Sequence, residues 1–296
     1  MEFVCNDCPR QCGALRKDDK PAGVCRSGAI ASVSRAAPHY GEEPCISGTR
    51  GSGTIFFTGC NLHCVFCQNH EISHGLGGKA VTVQELRDMM LRLRDQGVHN
   101  INLVTPTHFS RVLREVLSGL DLGIPVVWNS SGYESVETLK TLEGLVQIYM
   151  PDFKYYKSAP AKRYSFAEDY PEVAAAAIRE MYRQTGPYVM DEEGILRSGV
   201  LIRHLILPGQ ELNAMDVIDF VAESFPEDIV LFSLMCQYTP MPGLERFPEI
   251  QGRVSAETNE LLCDYMARCG ITSGYWQEPD AATEEMIPDF DLTGVD

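Results

Sequence analysis

Six apolar, β-branched segments constrain this chain more than any other feature. Each ends at polar or Gly/Pro punctuation, and helical patterns lie between them. The segments are Gly53–Gly59, Asn100–Thr105, Pro125–Ser130, Val146–Asp152, Val200–Leu207 and Asp228–Met235. Thr82 and Glu85 make a capping-box pair ahead of Leu86, Met89, Met90 and Leu93, and Gly97 is a natural stop. Pro171 suits the first turn of a helix running through Val173, Ala177 and Met181 to Gly186. Ser255 can cap a last helix that ends near Gly270. Strands alternating with helices predict an α/β fold whose parallel sheet is joined by right-handed crossovers. Ligands then belong at the carboxyl ends of the strands. The rhythm alone does not separate a curled, partial barrel from a flat, doubly wound sheet.

The chemistry is written directly after the first of these segments. Cys60, Cys64 and Cys67 lie in the run Gly59-Cys60-Asn61-Leu62-His63-Cys64-Val65-Phe66-Cys67, a C-x3-C-x2-C spacing. Three thiolates on one tight loop can hold three irons of a 4Fe–4S cluster. The fourth iron is then left to bind a small molecule, whereas an electron carrier ordinarily uses four cysteines. Zinc is the structural alternative, and it would need a fourth donor such as His63 or His70.

This run, with the aromatic Phe66 just before the third cysteine, resembles the signature of radical S-adenosylmethionine (radical SAM) enzymes. From roughly Gly53 to Trp276 the chain is most similar to the branch of the pyruvate formate-lyase activating enzymes. The resemblance implies a partial (β/α)6 barrel with a wide lateral mouth. It also implies reductive cleavage of SAM at the cluster, giving methionine and a 5′-deoxyadenosyl radical that abstracts hydrogen from a substrate. Phe66 would then pack near the adenine. Met150-Pro151-Asp152-Phe153-Lys154 resembles the activase M-x-D-x-K pattern, which sets Asp152 and Lys154 beside the methionine moiety. Asn129-Ser130-Ser131-Gly132 stands where activases carry D-T-N-G, so Asn129 and Ser130 join the cofactor site with one charge missing. Arg203 opens a stretch like R-x-x-x-x-P-G, ending at Pro208-Gly209, and would clamp the SAM carboxylate. A G-G-E-P loop of many activases is replaced by Thr105-Pro106-Thr107-His108. Thr105 could accept from the SAM amino group, and His108, Gln237 and Tyr238 are candidate substrate-side or proton-handling residues.

Residues 1–52 have a different texture and read as a small Cys-rich module, followed by the radical SAM unit at 53–278 and an acidic, loosely held tail at 279–296. Cys5, Cys8, Cys12 and Cys25 have the spacing of a second metal site. Zinc, a rubredoxin-like iron and an auxiliary iron–sulfur cluster all remain open, because four soft thiolates do not choose between zinc and iron. The stretch from Pro151 to Pro171 is polar and long enough for a functional loop.

Forty-one acidic residues against 25 basic ones give a formal net charge of −16, which disfavours a nucleic-acid partner. No apolar run reaches the ~18 residues that span a bilayer. The amino terminus shows no secretory pattern, and clustered cysteines without one point to a cytoplasmic protein. The resemblance implies reduced flavodoxin or ferredoxin as electron donor and a glycyl radical enzyme as partner. Two other readings stand beside it: radical modification of another peptide, a nucleoside or a small metabolite, and a non-catalytic iron–sulfur or zinc protein.

Overall fold

In the computed structural model of this chain, residues 2–75, 77–226, 229–277 and 288–295 are described. Glu2–Cys5 (β1) and Ala14–Lys17 (β2) pair as a separate antiparallel hairpin, with Cys5 opposite Ala14. Ala31–His39 (β3) belongs to the main sheet, antiparallel to Ser52–Phe57 (β4) on one side and to Lys79–Val81 (β5) on the other. Beyond β4 the sheet adds Ile101–Val104 (β6), Val126–Ser130 (β7), Ile148–Pro151 (β8), Leu196–Leu205 (β10), Leu231–Met235 (β11) and Gly274–Trp276 (β12), all parallel. Val189–Met190 (β9) pairs antiparallel with the start of β10. The order across the sheet is β12-β11-β10-β8-β7-β6-β4-β3-β5.

Each of the six expected segments contributes one of the consecutive parallel strands from β4 to β11. The last was expected to begin at Asp228, which lies outside the described residues. These strands read as apolar runs because helices cover them: Ile55, Leu103, Trp128, Tyr149, Ile202 and Phe232 are all buried in one continuous core. The expected helices are present at Val83–Asp95, Tyr170–Thr185 and Ala256–Arg268. Thr82 and Glu85 make both bonds of the capping box, and Ser255 accepts from the Thr258 amide.

Three sequence expectations change. Residues 1–52 do not form one unit, because β3 is hydrogen-bonded into the main sheet while only the hairpin stands apart. The Ala- and Ser-rich β3 carries little intrinsic strand preference and is held by pairing on both edges. Of the expected loose tail, 279–287 and 296 lie outside the described residues, but 288–295 is docked. There the Leu292 amide donates to Ser34 O, the Ala36 amide donates to Thr293 O, Phe290 meets Phe56 edge-on, and Val295 is buried. The stretch after Pro151 is no open loop, since Ser158–Ser165 forms a helix within it.

Gly59 lies at the joint between β4 and the cysteine run with φ of 86°, and a Cβ there would sit 2.4 Å from Ser27 Oγ and 2.5 Å from Cys25 O. Gly59→Ala is expected to cost about 2 kcal/mol or more, because a left-handed backbone and a steric conflict coincide. Urea unfolding followed by circular dichroism measures it.

Candidate active site

The cysteine run turns back on itself directly below the end of β4. His63 adopts a left-handed φ of 61°, the Leu62 amide points at Cys60 Sγ at 3.3 Å, and the Val65 amide donates to Tyr164 O. Ser165 Oγ donates to Cys64 Sγ at 3.0 Å. Cys60 and Cys64 are buried and Cys67 is partly so. Burial pushes all three thiols up, Cys64 to about 11 and Cys67 to about 12, with Lys154 pulling the other way on each. Thiols this reluctant to ionise become thiolates when a metal replaces the proton. Among the described residues no three His, Cys, Asp or Glu side chains converge on a single-ion position. A cluster asks for less convergence, because each sulfur binds a different iron. Donor type and the backbone and hydroxyl groups aimed at the sulfurs fit a 4Fe–4S cluster. His63, a candidate zinc donor by sequence, instead meets Val24 O through Nε2 at 2.6 Å.

A cavity of about 230 Å³ opens beside these cysteines, and the ends of all six parallel strands from β4 to β11 contribute to its wall. Cys60, Cys64, Phe66 and Cys67 follow β4; Thr105 follows β6; Asn129 and Ser130 end β7; Asp152 and Lys154 follow β8; Arg203 lies near the end of β10; Gln237 follows β11. Thr105 is held at a left-handed φ of 58°, and Gln237 Oε1 is buried without a partner among the described residues. Another hollow, of about 390 Å³, lies near the amino ends of β7 and β8, around Leu122 and Gln147, away from the cysteines.

Charge is organised around Arg203. Its Nε donates to Asp152 Oδ1 at 3.1 Å, Nη1 to Glu42 Oε2 at 3.0 Å and Nη2 to Asn129 Oδ1 at 2.7 Å. Lys154 Nζ donates to the other Asp152 oxygen at 2.6 Å. Burial alone would raise Asp152, but Lys154 and Arg203 hold it below the usual carboxylate range. Burial would lower Lys154, and Asp152 with the nearby thiols keeps it raised. Arg203 uses only part of its guanidinium here, so donors remain for a ligand carboxylate.

Glu42 was not legible as a site residue. It follows β3 rather than a parallel strand, and its Oε1 accepts from Asn102 at 3.0 Å and from Asn129 at 3.1 Å. Glu42 thus brings a carboxylate to Asn129 from outside the strand–helix repeat. Its neighbour Glu43 is raised by burial, with Oε2 lacking a hydrogen-bond partner among the described residues.

Comparison with known proteins settles the family. The radical SAM superfamily model matches residues 54–221, more than half of the chain. This chain belongs to the radical SAM superfamily. Membership carries an enzymatic role, with a 4Fe–4S cluster and SAM as cofactors. An uncharacterised protein of Methanocaldococcus jannaschii is 31% identical over 266 residues, covering 86% of this chain and 72% of that protein. Among solved structures, SuiB of Streptococcus suis bound to S-adenosylmethionine superposes with a TM-score of 0.52 at 14% identity, over 74% of this chain and 48% of SuiB. A second SuiB crystal structure gives a TM-score of 0.50 at 13% identity, over 75% of this chain and 47% of SuiB. The chain therefore spans about half the length of these structures, and the likeness is one of fold.

Two of the candidate residues of this radical SAM chain are not brought to the cavity. His108 is buried behind the cysteine run, its Nε2 2.8 Å from Thr58 O, because the turn after Thr105 folds it inward beneath Gly59. Burial lowers it to about 3, which leaves it neutral and ill-suited to proton transfer. Tyr238 is buried edge-on to Phe66, and its hydroxyl is spent on Ile250 O at 2.6 Å. The sequence reading sets both at the mouth, whereas the structure buries both outside the cavity lining. Gln237 alone of that trio lines the cavity.

His108 and His204 have a consequence for acid stability. Burial lowers His204 to about 4, as it lowers His108 to about 3, against an ordinary 6.5. As pH falls below 6.5 the unfolded chain binds protons that the folded chain refuses, so stability declines down to those lowered values. Each histidine contributes a slope of about 1.4 kcal/mol per pH unit at most. Urea unfolding at pH 7, 6 and 5 is expected to show the decline, and His108→Asn is expected to flatten it.

At the hairpin, Cys5, Cys8 and Cys25 are buried and Cys12 is exposed. Cys12 Sγ lies 3.0 Å from where a Gly23 Cβ would stand, so the outermost cysteine folds back toward the Cys25 turn. Arg10, between Cys8 and Cys12, donates to the carbonyls of Asn61, Leu62, Ser165 and Phe166, which fastens this unit onto the cysteine run. Among the described residues no helix is long and apolar enough to cross a membrane.

Proposed function

We propose that this radical SAM enzyme activates a partner protein by abstracting hydrogen from a glycine, in the manner of the activases its sequence resembles. The reading is carried by one observation: Cys60, Cys64 and Cys67 share a single cavity wall with Asp152, Lys154 and Arg203, the residues that stand in the activase-like stretches. We place a partial, six-stranded barrel behind it, a reduced flavodoxin or ferredoxin as donor, and a cytoplasmic setting. When bound, the cluster and SAM supply reductive carbon–sulfur cleavage and a 5′-deoxyadenosyl radical.

The chain's own residues position and shield. Cys60, Cys64 and Cys67 hold the cluster, and Ser165 steadies Cys64 by its hydrogen bond. Lys154, bonded to Asp152, places positive charge against the thiolates. Arg203 offers its remaining donors to the SAM carboxylate, while Asp152, Glu42 and Asn129 fix its plane. Thr105 and Ser130 offer oxygens to the amino group, and Phe66 offers an apolar face to the adenine. The four cysteines near the amino terminus serve this chemistry as a second metal centre.

A second reading keeps the radical chemistry and changes the substrate to another peptide or a small metabolite. Thr105-Pro106-Thr107-His108 in place of the activase G-G-E-P loop favours it. The test is anaerobic: reduced, reconstituted enzyme mixed with SAM is expected to release 5′-deoxyadenosine, and Cys64→Ala is expected to release none. A persistent glycyl radical on a partner, seen by electron paramagnetic resonance, selects activation. No deoxyadenosine from the wild type under strong reductant would overturn both readings.

A further inference from the structure

The N-terminal hairpin buries a cation that no carboxylate balances among the described residues. Arg16 is 2% exposed. Its Nη1 donates to His108 O at 2.6 Å and Gly28 O at 3.3 Å, its Nη2 donates to Cys25 Sγ at 2.8 Å, and its Nε is buried without a partner among the described residues. A guanidinium does not deprotonate in a protein, and a buried charge left unpaired is strongly destabilising. Carbonyl dipoles meet part of that need. Among the described residues its one side-chain partner that can carry a full negative charge is Cys25, and a cysteine carries it durably when its sulfur binds a metal.

Cys25 does not stand alone. Cys5 ends β1, Cys8 and Cys12 follow in the same turn, and Cys12 Sγ approaches Gly23. The whole set is bolted to the cysteine run of the active site. Cys25 O lies against Gly59, the residue before Cys60, and Val24 O meets His63. Arg10 ties the turn between Cys8 and Cys12 to Asn61 and Leu62. Cys12 is exposed at the outer edge, and Cys25 is buried at the inner edge. A zinc ion would stiffen this hairpin, but a stiffener has no reason to be threaded against the loop that receives the electron. Nor do the four cysteines, like Cys60, Cys64 and Cys67, converge on a single-ion position.

We propose that Cys5, Cys8, Cys12 and Cys25 bind a second iron–sulfur cluster, charge-balanced by Arg16, which passes electrons inward to the active-site cluster. This deepens the radical SAM reading and rests on it for the direction of electron flow. The step is one electron. A low-potential donor of the flavodoxin or dithionite kind reduces the second cluster from its 2+ to its 1+ state. That electron then passes to the active-site cluster, and the second cluster returns to 2+. No bond forms or breaks.

The test uses the full chain carrying Cys60→Ala, Cys64→Ala and Cys67→Ala, purified and reconstituted without oxygen. It is expected to retain about four iron and four sulfide per chain and to give a reduced-cluster resonance with dithionite. Adding Cys12→Ser and Cys25→Ser is expected to remove both. Zinc in place of iron, or no metal in the triple variant, would overturn the proposal. Arg16→Gln in the triple variant is expected to move the cluster's midpoint potential to more negative values, with Arg16→Lys intermediate; an unchanged potential would refute the charge balance. Deoxyadenosine formation by the wild type with dithionite reads the active-site cluster separately, so the two claims fail independently.

Discussion

Arg203→Met is expected to lower folding stability by about 3–5 kcal/mol, the range for removing one partner of a buried ionic network. The guanidinium is bonded to Asp152, Glu42 and Asn129 and stands 3.9 Å from Glu43. Methionine fills much of its volume but leaves three carboxylates facing one another, with only Lys154 to offset Asp152. The sign with pH follows. In the variant Glu43, which burial raises, loses the Arg203 charge that lowers it and holds its proton more tightly folded than unfolded, so part of the lost stability is expected to return as pH falls toward 5, against the histidine-driven decline of the wild type. Urea midpoints at pH 7 and pH 5 measure both effects. A variant as stable as the wild type at pH 7 would mean that the network is not what holds this end of the parallel strands.

Asn129→Asp is expected to destabilise by roughly 2–4 kcal/mol, because it sets a second carboxylate against Glu42, whose Oε1 lies 3.1 Å from Asn129 Nδ2. Glu42→Gln in the same chain is expected to recover about 1–3 kcal/mol of that loss. The exchange moves the negative charge back to the strand, and the amide introduced at position 42 can donate to the carboxylate introduced at position 129. Asn102, whose Oδ1 is buried without a partner among the described residues, can accept from the same amide. SAM affinity, measured by equilibrium dialysis, is expected to track stability across the wild type, the two single variants and the double variant. If the double variant is as impaired as Asn129→Asp alone, positions 42 and 129 are not coupled as the hydrogen bond between them implies.

Sequence carried the frame well, because each parallel strand is buried on both faces and writes itself as an apolar run. Asp152, Lys154 and Arg203 were legible only through the stretches that resemble activases, and in the structure they line the same cavity as the cysteine run. What was not legible lies off that repeat. Strand β3 has no apolar signature, so Glu42, delivered by the turn after it, had no address. Ser165 reaches Cys64 from a helix inside a stretch that looked like an open loop. His108 and Tyr238 were assigned by position after a strand, yet where a side chain points is decided by the local turn: a left-handed Thr105 sends the following residues inward. The docking of residues 288–295 onto β3 joins backbone bonds to Phe290 on Phe56 and Asp291 on Arg35, contacts between segments far apart in sequence that no local pattern announces.

The central claim is that the cluster held by Cys60, Cys64 and Cys67 keeps one iron for the amino-acid end of SAM. Electron–nuclear double resonance of the reduced enzyme with SAM labelled at the amino nitrogen and the carboxylate oxygens tests it. Hyperfine couplings from both labels are expected, and Arg203→Lys is expected to weaken the carboxylate coupling first. Bound SAM with no coupling at all, and a fourth cysteine sulfur on that iron instead, would contradict it.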